Sequence, residues 1–343
     1  MQVISYFVGL DVHKQVIAYC GKTPAGEIVR EGTVAARRAA LDEWVKTMPG
    51  PWQGGMEATL FSHWIYRHLQ PHAAELWMGN PSRMKAISWG KKKSDKLDAR
   101  TLADLLRANL FPRCFVIAPE LESLRRQLRF RRLLVQETVT FKNKTAGLLM
   151  EVGAEYERRR LHGKRYFAGL MKDNPLISTD LGPLLRFNRE QIEGLQRMDG
   201  QILRWLENHP RVQARIEALQ SIPGVGTVTA LTWALEVADP DRFESIKQAV
   251  SYCGFASALR ESAGKQKRGP LSKQRNAHLQ STLIEAAKLA PRYNQTLKTV
   301  YEQACLKGSK NRATLAVARK LTAYLLAADR AFFASQARST AAA

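Results

Sequence analysis

Apolar residues run almost without interruption over residues 3–10, the pattern of a buried strand. Residues 15–20 and 28–34 read as two more strands, and the turn-forming Thr23-Pro24-Ala25-Gly26 between them predicts an antiparallel meander. There follow a helix near 39–47, a short strand at 54–56, a helix at 60–69, a strand at 75–78 and a helix at about 95–109. From Pro119 the period lengthens, with Leu121, Leu124 and Leu128, then Val135 and Val139, set among arginines and lysines. A second helix over 189–206 carries Ile192, Leu195, Met198 and Ile202 at three- and four-residue steps, the stripe of a helix packed on another helix. Residues 173–183, rich in Pro, Gly, Asn and Asp, predict the turn between the two. Further helices are expected at 229–237, 276–290 and 313–333, with a frayed end after residue 338.

The order βββαβαβα of the first part is the RNase H-like order, so the expected class is α/β plus all-α. An RNase H-like domain spans 1–115, a basic coiled-coil connector 116–211, a mainly helical domain 212–335 and a disordered tail 336–343. A chain of 343 residues, 45% hydrophobic, supplies enough apolar surface for two cores.

Charge narrows the partner. Lys and Arg number 53 against 31 Asp and Glu, a formal charge of +22 that attracts phosphate backbones and gains free energy by releasing their counterions. Four scattered cysteines, without CxxC or Cys/His spacing, predict neither a disulfide framework nor a zinc site. Nothing approaches the ~20 apolar residues of a membrane span, and a cytoplasmic protein is expected.

Four carboxylates stand out. Asp11 closes the first strand and Glu57 comes directly after the short strand at 54–56, while Asp95 and Asp98, three apart, share one helix face unless Asp95 is only the helix cap. In an RNase H-like fold the ends of strands one and four are neighbours and the last helix crosses them, so the four can converge. Such a cluster repels itself without a cation, and Mg²⁺ on carboxylates stabilises the attacking and leaving oxygens of a phosphodiester. Lys91, Lys92 and Lys93 would hold the strand beside it. In the C-terminal part, Ile222-Pro223-Gly224-Val225-Gly226 resembles the turn of a helix-hairpin-helix, where Gly224 and Gly226 let backbone N–H groups approach a phosphate. Residues 260–273 read as a flexible basic loop, with Arg260, Lys265, Arg268 and Lys273 around two serines, Ser262 and Ser272, either a candidate nucleophile towards phosphorus. A resolvase or nuclease working through metal-activated water, and a non-catalytic nucleic-acid-binding protein, are the competing classes.

Gly9-Leu10-Asp11-Val12-His13-Lys14, Met56-Glu57-Ala58-Thr59, Asn80-Pro81, Lys93-Ser94-Asp95-Lys96-Leu97-Asp98-Ala99, Ile222-Pro223-Gly224-Val225-Gly226 and Glu261-Ser262-Ala263-Gly264-Lys265 together resemble the DEDD transposases of insertion-sequence family 110. The resemblance covers nearly the whole chain. It implies a RuvC-like domain, a coiled-coil connector and a transposase domain that moves donor element DNA into target DNA under a structured bridge RNA. It further implies that Asp11, Glu57, Asp95 and Asp98 hold Mg²⁺, with Mn²⁺ as an alternative. Ser262 would form a phosphoserine link, and the two sites would come from different protomers of a dimer that assembles to a tetramer. The chain departs from the family pattern at Arg275, where glycine is common, and at Gln280, where arginine is common.

Overall fold

The computed structural model describes residues 4–84, 94–175, 177–262 and 264–341, and the chain divides into two compact units, Met1–Val116 and Ile117–Ala343. In the first unit, β1 (Tyr6–Val12), β2 (Val16–Lys22) and β3 (Ile28–Ala35) precede α1 (Arg38–Lys46), β4 (Trp52–Glu57), α2 (Ser62–Leu69), β5 (Glu75–Gly79), α3 (Pro81–Met84) and α4 (Asp95–Arg107). They build one mixed sheet of order β3-β2-β1-β4-β5, antiparallel across β1, β2 and β3 and parallel across β1, β4 and β5. This mixed sheet is consistent with the RNase H-like order read from the pattern.

Strand alternation sorts the sheet into two unlike faces. Val8, Leu10 and Val12 of β1, Ile17 and Tyr19 of β2, and Trp52 and Met56 of β4 pack with Leu41, Trp44, Ile65 and Leu69 of α1 and α2. The opposite face is lined by small residues, Gly9, Ala18, Cys20 and Gly55, and takes α4. A methyl group on Gly9 would collide with the Ala99 carbonyl oxygen and stand 2.6 Å from the Ala103 nitrogen, so α4 lies directly on the β1 backbone. Ion pairs hold the helix there. The Lys22 ammonium donates to Asp104 at 2.6 Å, and the Arg100 guanidinium donates to both Glu31 oxygens at 2.8 and 2.9 Å. Replacing Gly9 by alanine therefore forces α4 off the sheet. A stability loss of about 3 kcal/mol, the upper part of the overpacking range, is expected in chemical denaturation of the whole chain, and a loss below about 1 kcal/mol would disprove the close approach.

The second unit comprises α5 (Pro119–Glu151), α6 (Lys164–Asp173), a π-helical turn (Ile177–Leu181), α7 (Gly182–Glu207), α8 (Gln213–Gln220), α9 (Thr227–Val237), α10 (Ile246–Tyr252), the antiparallel pair β6 (Ser257–Ser262) and β7 (Lys265–Leu271), α11 (Ala277–Leu289), α12 (Gln295–Leu306) and α13 (Lys310–Ala341). Helices α5 and α7 pack side by side. Where they meet α6, Leu149, Leu161, Phe167 and Leu185 form a small core. At their other ends Leu124, Leu128 and Leu206 join Trp233, Phe255 and Leu321 in the main core, so the ends of this helical pair share a core with the C-terminal helices. Two buried carboxylates are matched inside it. The Arg215 guanidinium donates to both Asp329 oxygens at 2.7 and 2.6 Å, with the Trp233 indole adding a bond of 2.9 Å. Glu236 accepts two bonds from Arg129 and one from Asn276. Burial alone would raise the Glu236 carboxyl, but the Arg129 bonds prevail and hold it below its usual value.

Two expectations are corrected. Residues 260–273 are mostly a β-hairpin, not a flexible loop, because cross-strand pairing of Arg260 with Lys267 and Ser262 with Lys265 satisfies the backbone across a turn where Gly264 takes φ 75°. The tail expected to be disordered from residue 336 continues α13 to Ala341, in a sequence where alanine, the best helix former, recurs. Among the described residues no helix is long and apolar enough to cross a membrane.

Candidate active site

The alternation that sends Leu10 and Met56 to one face of the sheet sends their successors, Asp11 and Glu57, to the other. Both are at the ends of neighbouring parallel strands, one step beyond the Leu10–Met56 pair, on the face that α4 covers. Helix α4 starts at the same edge. Its cap is Ser94, whose Oγ accepts the Leu97 N–H at 3.3 Å, which leaves Asp95 and Asp98 in the first turn with their carboxylates free of capping duty. The small residues beneath α4 thus set how near these acids come to Asp11.

The structure brings Asp11 and Asp95 together with a residue not singled out from the sequence, His13. Its Nε2 lies 3.1 Å from Asp11 Oδ2 and 3.5 Å from Asp95 Oδ1, and one donor atom from each of the three lies within 4.8 Å of the others. A signal for it exists in the pattern, since residues 11 and 13 alternate onto one side of an extended chain. The His13 backbone N–H donates to Val16 O at 3.0 Å, which fixes the ring at the β1–β2 turn. Burial raises the Asp11 carboxyl; His13 pulls it down, Asp98 and Asp95 push it up, and the net shift is upward. A half-buried carboxylate disfavoured chiefly by its burial, with Asp98 and Asp95 adding to it, is satisfied by a cation, and the carboxylate–imidazole donor set fits a divalent ion. Glu57 and Asp98 stand at the same edge but are not members of this tight donor group.

The remaining candidates sit on other elements. Lys91, Lys92 and Lys93 lie outside the described residues. Arg260 and Ser262 are on β6, Lys265 and Arg268 on β7, and Lys273 is exposed beyond it. The root of this hairpin explains Arg275 and Gln280. Gly254 takes φ 81°, a Cβ there would meet the Arg275 side chain at 2.6 Å and Gln280 Nε2 at 2.8 Å, and the Gln280 amide donates to the Gly254 carbonyl at 2.7 Å. Ser272 is occupied locally: its Oγ accepts the Gln274 N–H at 3.2 Å. In the turn between α8 and α9, Gly224 takes φ 93° and its Cα faces Ala290, where a Cβ would come within 2.8 Å; packing accounts for this glycine. Gly226, the cap of α9, has open space around it and borders a largely apolar groove of 700 Å³ lined by Val225, Val228, Leu289 and Tyr293.

Comparison with known proteins agrees with this layout. Residues 8–153 match the IS110-type DEDD model described as "Transposase", and residues 216–302 match "Transposase IS116/IS110/IS902 family". The chain is 26% identical over 292 residues to "Probable family 20 transposase" of Pseudomonas aeruginosa, covering 83% of this chain and 84% of that one. It is 27% identical over 330 residues to the transposase for insertion sequence element IS1111A of Coxiella burnetii, covering 91% and 86%. A third relative, the transposase for insertion sequence element IS1328 of Yersinia enterocolitica, is 23% identical over 292 residues, covering 82% and 83%.

Proposed function

This chain belongs to the DEDD transposases of the IS110 family, insertion-sequence enzymes that cut and transfer DNA strands, and from that premise we propose that it works through a metal-assisted, RNA-guided phosphoserine mechanism. Asp11, Glu57, Asp95 and Asp98 hold the divalent ion, Mg²⁺ by preference, with His13 beside them. The ion, when bound, polarises the scissile phosphate and offsets charge on the oxygens around it. The observation that carries the reading is the convergence of Asp11 and Asp95, with Asp98 close enough to raise Asp11, at the edge where β1 and β4 end.

Ser262 is the nucleophile. Its Oγ replaces a deoxyribose oxygen at phosphorus, the serine proton balancing the released hydroxyl, so one ester is exchanged for another and the bond is conserved for resealing. A hydroxyl from a second DNA end then reverses the exchange and joins the new strand. Ser262 is favoured over Ser272 because the Ser272 hydroxyl already serves the Gln274 backbone, and because Ser262 ends β6, where its backbone pairs with Lys265. Arg260, Lys265 and Arg268 of the same hairpin, with Lys273, neutralise charge at the attacked phosphate. Guidance by a structured bridge RNA, and assembly as a dimer and then a tetramer, rest on the family resemblance together with the +22 charge.

The test is to incubate the protein with element DNA, a target duplex, Mg²⁺ and RNA transcribed from the flanking non-coding DNA. The expected product is a denaturant-resistant protein–DNA adduct that requires both RNA and Mg²⁺. Cutting without an adduct, with binding confirmed, would replace this reading with a resolvase using water.

A further inference from the structure

Where α5 ends and α7 begins, a cavity of 130 Å³ opens between α5, α6 and α7, with His162, Lys164, Arg189, Glu193 and Gln196 around a floor of Phe167 and Leu185. Its walls are built on packed side chains. Phe167 and Leu185 belong to the local core, and the Arg189 guanidinium stacks 4.8 Å over the Phe167 ring while Nη2 pairs with Glu193 at 2.9 Å. The stacked, paired arginine is thereby held with its remaining N–H donors in a fixed fork, the form in which guanidinium recognises phosphate.

The charged lining of the cavity is Lys164 and Arg189 against Glu193, a net positive edge. Along the chain, the stretch from Glu155 to Arg165 that leads into it carries five cations and two carboxylates, with Arg160 paired to Glu157 at 3.3 Å. Burial, then the charges of Lys142 and Arg189, hold the His162 imidazole below its usual value, so the ring sits in the field as a neutral donor or acceptor. A protein that concentrates like charge around a preformed concavity is complementary to an anion, and for a DNA-handling enzyme the abundant anion is the backbone phosphodiester.

We propose that this cavity is a phosphate-binding site in which Lys164 and Arg189, with His162, grip one backbone phosphodiester of a nucleic-acid strand far along the chain from the carboxylates and the β6–β7 hairpin. The grip positions the strand without reading its sequence. The inference rests on the reading of the chain as a nucleic-acid enzyme but not on the serine step or on the guide.

The experiment uses the full chain without Mg²⁺, so that no cleavage intervenes, and measures binding of a labelled single-stranded RNA and of a DNA duplex of equal length across a salt series. Lys164→Ala is expected to weaken binding about 3- to 10-fold and to lower the salt slope by about 0.7 for the single strand or about 0.9 for the duplex. Lys172→Ala removes the same charge from an exposed position on the same helix, outside the cavity, and is expected to change affinity less than about twofold. Bound strand should also shield Lys164 more than Lys172 from acetylation. The arm that shows the loss identifies RNA or DNA as the source of the phosphate. Equal weakening by the two variants, or unshielded Lys164 in both arms, overturns the proposal. A failed adduct assay with this difference intact would remove the serine mechanism and leave the phosphate site standing.

Discussion

Ser262→Ala yields a protein that binds element DNA and RNA as the parent does but forms no covalent adduct, with strand transfer reduced by roughly six orders of magnitude, the scale on which serine enzymes lose rate with their nucleophile. The expectation is sharp because a metal site without the serine can still direct water at a phosphodiester. Under the serine mechanism the variant therefore shows at most slow hydrolysis and no resealing, whereas a water-using enzyme would cut at full rate. The backbone around Ser262 belongs to a paired hairpin, and serine to alanine at the end of β6 preserves that pairing. A Ser272→Ala control separates the two serines. It removes an acceptor for the Gln274 N–H and is expected to lower stability by about 1 kcal/mol while leaving the adduct. An adduct at undiminished yield in Ser262→Ala that disappears in Ser272→Ala would transfer the nucleophile to the second serine.

The hydrophobic pattern makes part of this architecture legible in the chain. The continuous run ending at Leu10, the turn at Thr23 to Gly26 and the short apolar segment around Met56 specify strands and their order. The same pattern, read with a period of two, already puts Asp11 and Glu57 on one face. It does not encode how near a helix approaches that face. This depends on the absence of side chains at Gly9 and Gly55 and on the small Ala18 and Cys20, residues on three strands that only pairing brings under α4. His13 escapes for a related reason: a histidine after a strand resembles any turn residue until the β1–β2 turn folds its ring back onto Asp11. The basic stretch at 260–273 reads as a loop because its polar composition masks alternation; cross-strand pairing makes most of it a hairpin. The core that the ends of α5 and α7 share with the C-terminal helices is likewise hidden, since Leu124, Leu128 and Leu206 look like any helix-packing stripe until their partners are known.

The electrostatics of Asp11 lead to an outcome in which stability and activity move in opposite directions. In the metal-free protein burial, Asp98 and Asp95 outweigh His13 and disfavour the ionised Asp11 carboxylate. An isosteric neutral side chain removes that penalty, chiefly the burial of charge, so Asp11→Asn is expected to melt at a slightly higher temperature than the parent without added metal near neutral pH. Mg²⁺ should reverse the ranking. It binds the folded parent and raises its melting temperature through mass action, while the variant, lacking a charged donor at the centre of the site, responds little. Strand cleavage should fall by on the order of a thousandfold or more, equivalent to about 4 kcal/mol of lost transition-state stabilisation, because the metal acts through charge that asparagine cannot supply. His13→Gln separates the neighbouring contributions: it keeps the acids, removes the imidazole's attraction and lowers the metal-free melting point. Thermal melts of the parent and both variants, each with and without Mg²⁺ and alongside the cleavage assay, decide the matter. A variant at position 11 that still gains stability from Mg²⁺ and still cleaves would place the metal elsewhere and leave the meeting of Asp11, His13 and Asp95 a structural contact only.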